Sequence, residues 1–373
     1  MVVNLTDVCD IQYGYAFDSG LFSDTDGIPL VRIRDVVRGY SETRTTESFP
    51  DEYIVNDGDI LIGMDGEFNI AKWHGGKAAL NQRVCRLVPR KINIDYVFHF
   101  MPVALKSIEE KTSFVTVKHL SAKELNKIQI QVPTDEEQHK IASVLNSLSK
   151  IIIHRRTQLD EFDTLIKARF VEMFGDIIQN TMRWPQCVFS EIASSRLGKM
   201  LDAKQQTGNC RFPYLANFNV QWFRFELGNL NEMDFDEDDR IEFELKDGDL
   251  IVCEGGEIGR CAVWHNQIQP CYFQKALHRV RCNTDIILPD YLARWLQYNC
   301  EHGGFASIEG AKATIAHLPG AKLKALTVTV PPIDLQEQFV AFVSQVDKSK
   351  AVVQAALDKA QLLFDSLMQQ YFG

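Results

Sequence analysis

Residues 57–66 read DGDILIGMDG, and residues 247–256 read DGDLIVCEGG. An aspartate, a glycine and an aspartate feeding a short apolar run that stops at a second glycine make a turn, a strand and a turn. Alone the pattern is common. Its recurrence decides the fold, because a repeated unit has to be placed before any single motif is.

The repetition extends outward from that stretch. LTDVCDIQYG (5–14) lies over FSEIASSRLG (189–198), and IPLVRIRDV (28–36) over FPYLANFNV (212–220), so Pro29 falls on Pro213 and Gly14 on Gly198. Trp73-His74 falls on Trp264-His265, LSAKELNKIQIQVP (120–133) on LPGAKLKALTVTVP (318–331), and Glu137-Gln138 on Glu337-Gln338. The separation between partners widens slowly and in one direction, as small loop insertions on a shared scaffold produce. The chain reads as two copies of one mixed α/β (α+β) unit, residues 1–133 and 186–331. Strand-like runs such as PLVRI, GDILIGM and LIVCE accompany one internal helix, near YVFHFMPVALKSI or YLARWLQYNCEH. A closing strand, KIQIQVP or ALTVTVPP, is ended by proline.

Each copy leads into a long helix. Residues 134–175 open with Thr134 and Glu137 at capping-box spacing, carry acidic residues in the first turn and close at Gly175. About forty residues make about 60 Å of helix. Apolar positions step by four and three through Ile141, Leu145, Leu148, Ile152, Leu159, Phe162 and Ile166. In residues 334–373 the same step runs through Val343, Val346, Val353, Leu357, Phe364 and Leu367. A 3.5-residue seam kept over more than three heptads signals coiled-coil packing, and within one chain the mate of each seam is the other. The expected architecture is two similar domains joined by two long antiparallel coiled-coil helices in a pseudo-twofold arrangement. Two helices each packed only on its own domain form the competing arrangement.

With 373 residues, 45% hydrophobic and 24% charged, the chain has material for two cores and an ordinary soluble surface. The opening MVVNLTDVCD is acidic and lacks a secretory pattern, and no apolar run approaches the length of a bilayer span. A cytoplasmic protein without membrane contact is expected. The nine cysteines form no C-x-x-C pair and read as buried reduced thiols. Net charge is −10, with 15 basic against 18 acidic residues in 1–133 and 15 against 19 in 186–331. Neither repeat is globally basic, so any nucleic-acid contact must rest on local geometry.

Recognisable catalytic patterns are missing. There is no G-x-G-x-x-G or G-x-x-x-x-G-K-[ST] phosphate cradle, no Asn-Pro-Pro-aromatic turn, no serine elbow and no H-E-x-x-H. His74 and His265 recur beside tryptophans, which reads as a Trp-His strand packed on the core rather than a catalytic pair. MDFDEDDR (233–240) reads as a solvated loop rather than a metal loop. No catalytic, cofactor-binding or metal-ligating residue is assigned.

The order of domain, long helix, domain and long helix resembles the specificity subunit of type I restriction–modification enzymes over essentially the whole chain. GDILIGMDG…NIAKWHGGKAALNQRV (58–84) looks like that family's run ending in Asn81-Gln82. GDLIVCEGGEIGRCAVW…CYFQKALHRV (248–280) looks like its partner around Gln274, with Phe273 taken as the counterpart of Asn81. VPTDEEQHKIASVL and VPPIDLQEQFVAFV resemble the family's entries into its helices. The resemblance implies a non-catalytic subunit whose two target-recognition domains each read one half of a split, asymmetric sequence in double-stranded DNA. The helices would set the spacer and hold two methyltransferase (modification) subunits. Restriction (translocase-nuclease) subunits would complete the complex, and S-adenosylmethionine, ATP and Mg would serve partner chains, with no cofactor in this one. A specificity module of a type IIB-like methyltransferase–nuclease is the alternative, and a coiled-coil scaffold with two protein-binding heads a further one.

Positions that agree between repeats should be scaffold, and those that differ should be readout. Arg32, Arg34 and Arg38, taken as strand-end residues, correspond to Ala216, Phe218 and Trp222. Arginine suits bidentate contact with guanine, and Asn217, Asn219 and Gln221 suit adenine. Lys118, Lys199, Lys204 and Lys312 are candidates for phosphate contacts. For each of these an ordinary solvated side chain is the competing reading.

Overall fold

The computed structural model describes residues 1–111, 119–202, 206–306 and 317–373. It divides into two compact units, Met1–Gln158 with Val353–Gly373, and Leu159–Val352. Each unit holds one sequence repeat, half of the first long helix and half of the second.

In the first unit, Val2–Asn4 pairs antiparallel with Gln129–Gln131, so the start of the repeat is tied to its end. A four-stranded antiparallel sheet follows the order Cys9–Tyr13, Val84–Pro89, Ile60–Gly63, Ile70–Lys72. A second sheet contains Ile28–Val31 and Ala78–Leu80 in parallel, with Leu30 opposite Ala79. The second unit repeats the plan. Gln186–Val188 pairs with Thr327–Thr329, and the four-stranded order is Ala193–Leu197, Leu277–Cys282, Leu250–Cys253, Cys261–Val263. Arg211–Leu215 and Tyr272–Phe273 supply the parallel pair.

The stretch DILIG lacks alternation because its strand is buried on both faces. Ile60 and Ile62 enter a core with Tyr96, Val97 and Met101 of helix Ile94–Lys111. Leu61 enters another with Val31, Trp73 and Leu80. In the second unit Leu250 and Val252 pack with Tyr291 and Leu292 of helix Pro289–Glu301, while Ile251 and Cys253 pack with Trp264 and Phe273.

The two DGD turns have one explanation. Gly58 and Gly248 take φ of 92° and 82°, left-handed values open to glycine. Their N–H groups donate to the carbonyls of Trp73 and Trp264 at 2.8 and 2.9 Å. The carboxylate after each glycine closes the turn, Asp59 accepting from Asn56 N at 2.9 Å and Asp249 from Lys246 N at 2.8 Å. Both tryptophans are fully buried, and His74 and His265 beside them are exposed. All nine cysteines are free thiols, and burial pushes that of Cys85 up to about 12.

The ladders correct two correspondences. Val31 sits opposite Leu80, and Leu215 opposite Phe273, so Leu80 and Phe273 are equivalent. The counterpart of Asn81 is therefore Gln274, and the bridges Tyr15 to Asn81 and Lys199 to Gln274 agree. The recurring glycines serve this crossing. A Cβ on Gly14 would lie 2.1 Å from the Asn81 carbonyl oxygen, and one on Gly198 2.4 Å from that of Gln274. Likewise the counterpart of Gln138 is Gln336, not Gln338. The buried Gln138 amide donates to Pro133 O at 3.0 Å and accepts from Asn93 N at 2.8 Å. Gln336 donates to Pro331 O at 2.8 Å and accepts from Leu288 N at 2.9 Å. Each glutamine pins the first turn of its long helix to the end of the preceding strand.

Those helices span Asp135–Phe174 and Ile333–Phe372. The Thr134 hydroxyl accepts from Glu137 N at 3.3 Å while the Glu137 carboxylate accepts from Thr134 N at 3.0 Å, a capping box. Within the second unit Lys350 Nζ meets Asp163 Oδ1 at 2.6 Å, and the Phe339 ring lies 5.4 and 5.5 Å from those of Phe170 and Phe174. Within the first unit Arg156 donates to Gln361 at 3.3 Å and His99 packs on Phe364. Rising numbers on one helix meet falling numbers on the other, so the pairing is antiparallel. Leu145, Ile152, Ile166, Val343, Val346, Val353 and Leu357 are buried, and Ile141, Leu148, Leu159, Phe162, Phe364 and Leu367 half-buried. Among the described residues no helix is long and apolar enough to cross a membrane.

Candidate nucleic-acid interface

In the first repeat the chain leaves strand Ile28–Val31 at Arg32 and enters helix Ile33–Arg38. The three arginines are thus not strand-end residues. Arg32 caps the helix, its N–H donating to the buried carboxylate of Asp35 at 3.0 Å. Arg34, 53% exposed, donates to Thr43 Oγ1 at 3.1 Å and stands 3.6 Å from Asp35. Gly39, with φ of 76°, ends the helix.

Arg32 and Arg34 line an open cleft of about 570 Å³ with Phe17, Phe22, Asn81 and Gln82, and Arg83 completes its basic wall. The crossing over Gly14 brings Asn81, Gln82 and Arg83 to the end of the parallel strand pair, beside Arg32. Three guanidinium groups, two amides and two rings in one concavity suit the edges of base pairs and the phosphates beside them. Arg38 lies elsewhere, 3.6 Å from Glu42.

The second repeat builds the corresponding place differently. Ala216 replaces Arg32 and is buried, and Phe218, 56% exposed, replaces Arg34. Asn219 is 1% exposed, occupies the position of Asp35 and has the same task. Its Oδ1 accepts from Ala216 N at 2.9 Å, and its Nδ2 donates to Glu226 O at 2.9 Å. Asn217 is also committed internally, donating to Gly255 O at 2.9 Å and accepting from Arg260 at 2.7 Å. Neither amide is offered to a base in this structure. Gln221 is half-buried, and its Nε2 donates to Phe218 O at 3.0 Å.

Lys199 is not a surface phosphate ligand. Its Nζ pairs with the Asp239 carboxylate and donates to Asp234 O at 2.8 Å, with the side chain 11% exposed. That pairing also changes the reading of MDFDEDDR. Asp234 is buried and accepts from Thr207 Oγ1 and Gly208 N at 2.9 and 2.7 Å, bonds that hold its carboxyl below the usual range against the opposing desolvation. Asp236 caps helix Glu237–Phe243 through Asp239 N at 2.9 Å. Asp234 and Asp239 are thus internal anchors, while Asp236, Glu237 and Asp238 stay exposed, and among the described residues no three His, Cys, Asp or Glu groups converge as metal ligands. Lys118, Lys204 and Lys312 lie outside the described residues. The sequence reading missed Arg83. Once Asn81 is placed on Gln274, Arg83 falls on Ala276, a divergence as sharp as that at Arg34.

Two repeats with matched scaffolds and unlike side chains at the corresponding place, each continued by a long helix, define a duplicated protein with two different candidate recognition surfaces. A family model described as type I restriction modification DNA specificity domain matches residues 1–161 and 187–360. The chain belongs to that family. It is 26% identical over 405 residues to the Type I restriction enzyme EcoBI specificity subunit of Escherichia coli, covering 99% of this chain and 85% of that subunit. It is 25% identical over 160 residues to the MjaVIII specificity subunit of Methanocaldococcus jannaschii, a match covering 39% of this chain and 38% of that one. In fold it is similar to the type I restriction–modification S subunit from M. genitalium, with a TM-score of 0.58 at 14% identity, covering 100% of this chain and 96% of the other. A chain from a study of assembly and conformational transition in the type I system gives a TM-score of 0.55 at 15% identity, covering 100% and 97%.

Proposed function

We propose that this chain is the sequence-specificity subunit of a type I restriction–modification complex and carries no catalysis itself. The observation that carries the reading is the duplication: one scaffold built twice with its ladders and turns kept, while the cleft side chains diverge from Arg32, Arg34 and Arg83 to Ala216, Phe218 and Ala276. A symmetric scaffold presents two like partner subunits with like surfaces, and divergent clefts make the DNA target asymmetric. Each domain reads one half-site of double-stranded DNA, and the antiparallel helices set the gap between half-sites and dock two methyltransferase subunits. Restriction subunits join that core. Methyl transfer from S-adenosylmethionine and ATP- and Mg-dependent cleavage belong to those chains.

Genome-wide mapping of modified bases in a strain expressing this chain with its methyltransferase tests the reading. A single bipartite, asymmetric motif that disappears when this gene is deleted is the expected result. Modification that persists without the chain would overturn it.

A further inference from the structure

Arg83, which shares the cleft with Arg34, is paired with a carboxylate. Arg83 Nη1 donates to Asp65 Oδ2 at 2.8 Å, and the other oxygen of Asp65 meets His119 Nδ1 at 2.5 Å. Asp65 is largely buried, whereas the Arg83 side chain is 56% exposed and lines the cleft. An ion pair this exposed adds little to folding.

The second repeat shows that the scaffold does not need it. The equivalents of Asp65 and Arg83 are Gly255 and Ala276, yet the backbone around them is wired alike. Met64 N donates to Arg83 O at 3.0 Å, and Glu254 N to Ala276 O at 2.9 Å. Leu120 N reaches Met64 O and Leu318 N reaches Glu254 O, both at 2.7 Å. The bridge from Asp65 to His119 is matched by that from Gly255 to His317. Both partners are present in one repeat and both absent in the other, while the fold beneath them stays the same. Asp65 is also held by His119, so the scaffold fixes the carboxylate, while the Arg83 side chain has no counterpart in the second repeat and faces a basic cleft.

We propose that Arg83, braced by Asp65, is a base-reading residue of the first recognition domain and that its ligand is the major-groove edge of a guanine. The inference rests on the functional reading above and deepens it. A guanidinium fork matches guanine O6 and N7, which a lysine ammonium does not. Asp65 is the positioning residue: by holding one nitrogen it fixes the plane of the fork before DNA arrives, which lowers the ordering cost of binding. The second domain, with Ala276 and Gly255, reads no base this way.

The test uses the complex with its methyltransferase subunits, duplexes carrying the mapped motif, and duplexes with each half-site base pair replaced in turn. Arg83→Ala and Arg83→Lys should each lose about ten- to a hundredfold discrimination at one G·C pair of the first half-site. Asp65→Asn should relax the same base pair by a smaller factor. Discrimination in the second half-site and the thermal midpoint should stay at wild-type values in all three. The lysine variant separates the roles, because lysine serves a phosphate contact as a point charge. Full discrimination in Arg83→Lys, or equal weakening on every duplex in Arg83→Ala, would overturn the inference while leaving the functional reading standing. A wild-type complex with no bipartite motif would remove both.

Discussion

The side-chain oxygen of Asn219 accepts the backbone N–H of Ala216 at 2.9 Å, and its amide nitrogen donates onward to Glu226 O. A buried donor left without its partner costs about 1–3 kcal/mol. Asn219→Ala should therefore lower the stability of the second domain by that amount without moving the recognised sequence to another base. Asn219→Asp should also destabilise, because its second oxygen would face the Glu226 carbonyl. Denaturant unfolding together with methylation mapping checks this; a changed target base in a variant of wild-type stability would make Asn219 a reader instead.

Lys199→Ala should act on folding and not on the salt dependence of binding. Removing the ammonium leaves the Asp239 carboxylate, mostly buried, without its partner, a loss of roughly 3 kcal/mol. A phosphate contact would instead weaken binding to all sequences and reduce the slope of affinity against salt. Unfolding curves and a salt titration of DNA binding distinguish the two.

Leu145 is fully buried on the seam side of the first long helix. Leu145→Asp would bury an ionised group without a partner, at several kcal/mol. Loss of cooperative unfolding and of methyltransferase binding is expected, and a variant that assembles as well as wild type would argue against the paired helices as the dock.

Four residues inserted near Thr157 should lengthen the first helix by about 6 Å, one turn. DNA rises about 3.4 Å per base pair, so the mapped motif should keep both half-sites and gain one or two unspecified positions. The seam must absorb a stutter, which four residues permit. An unchanged gap in the insertion variant would show that the helices do not set it.

Acid should weaken the first domain through His99. Its Nε2 lies 2.8 Å from Asn146 Oδ1, and Asn146 Nδ2 donates to Asp95 at 2.6 Å, so the imidazole N–H is the donor in the first of these bonds. Burial pushes His99 below its ordinary 6.5, against the opposing pull of Asn146 and Asp95. The unfolded chain therefore takes up the proton first; the stabilisation is present above pH 6.5 and is lost as pH falls below it towards the folded value. His99→Gln should show a shallower loss of stability than wild type across that window, read from unfolding midpoints at several pH values.

The duplication, the mixed α/β class of each half and the antiparallel helix pair were legible in the chain because they rest on period and recurrence. A 3.5-residue seam has one geometric meaning over forty residues, and DGD with a glycine at positive φ specifies its turn wherever it stands. Register was not legible to the residue. Sequence alone aligns Asn81 with Phe273 and Gln138 with Gln338, each off by one or two, because short loop insertions are invisible to composition. A one-residue slip changes which face every side chain takes.

The sequence by itself therefore determined the architecture: two copies of one unit, two seams that complement each other, and a family whose members read DNA. Only the tertiary structure decided which polar side chains are free to act. Asn219 and Lys199 have residue types suited to DNA and are spent inside the fold, while Arg83, remote in sequence from Arg34, stands beside it in the same cleft. The physical reason is that a polar group's availability depends on whether a buried partner already holds it, and such partners come from distant segments brought together by strand pairing.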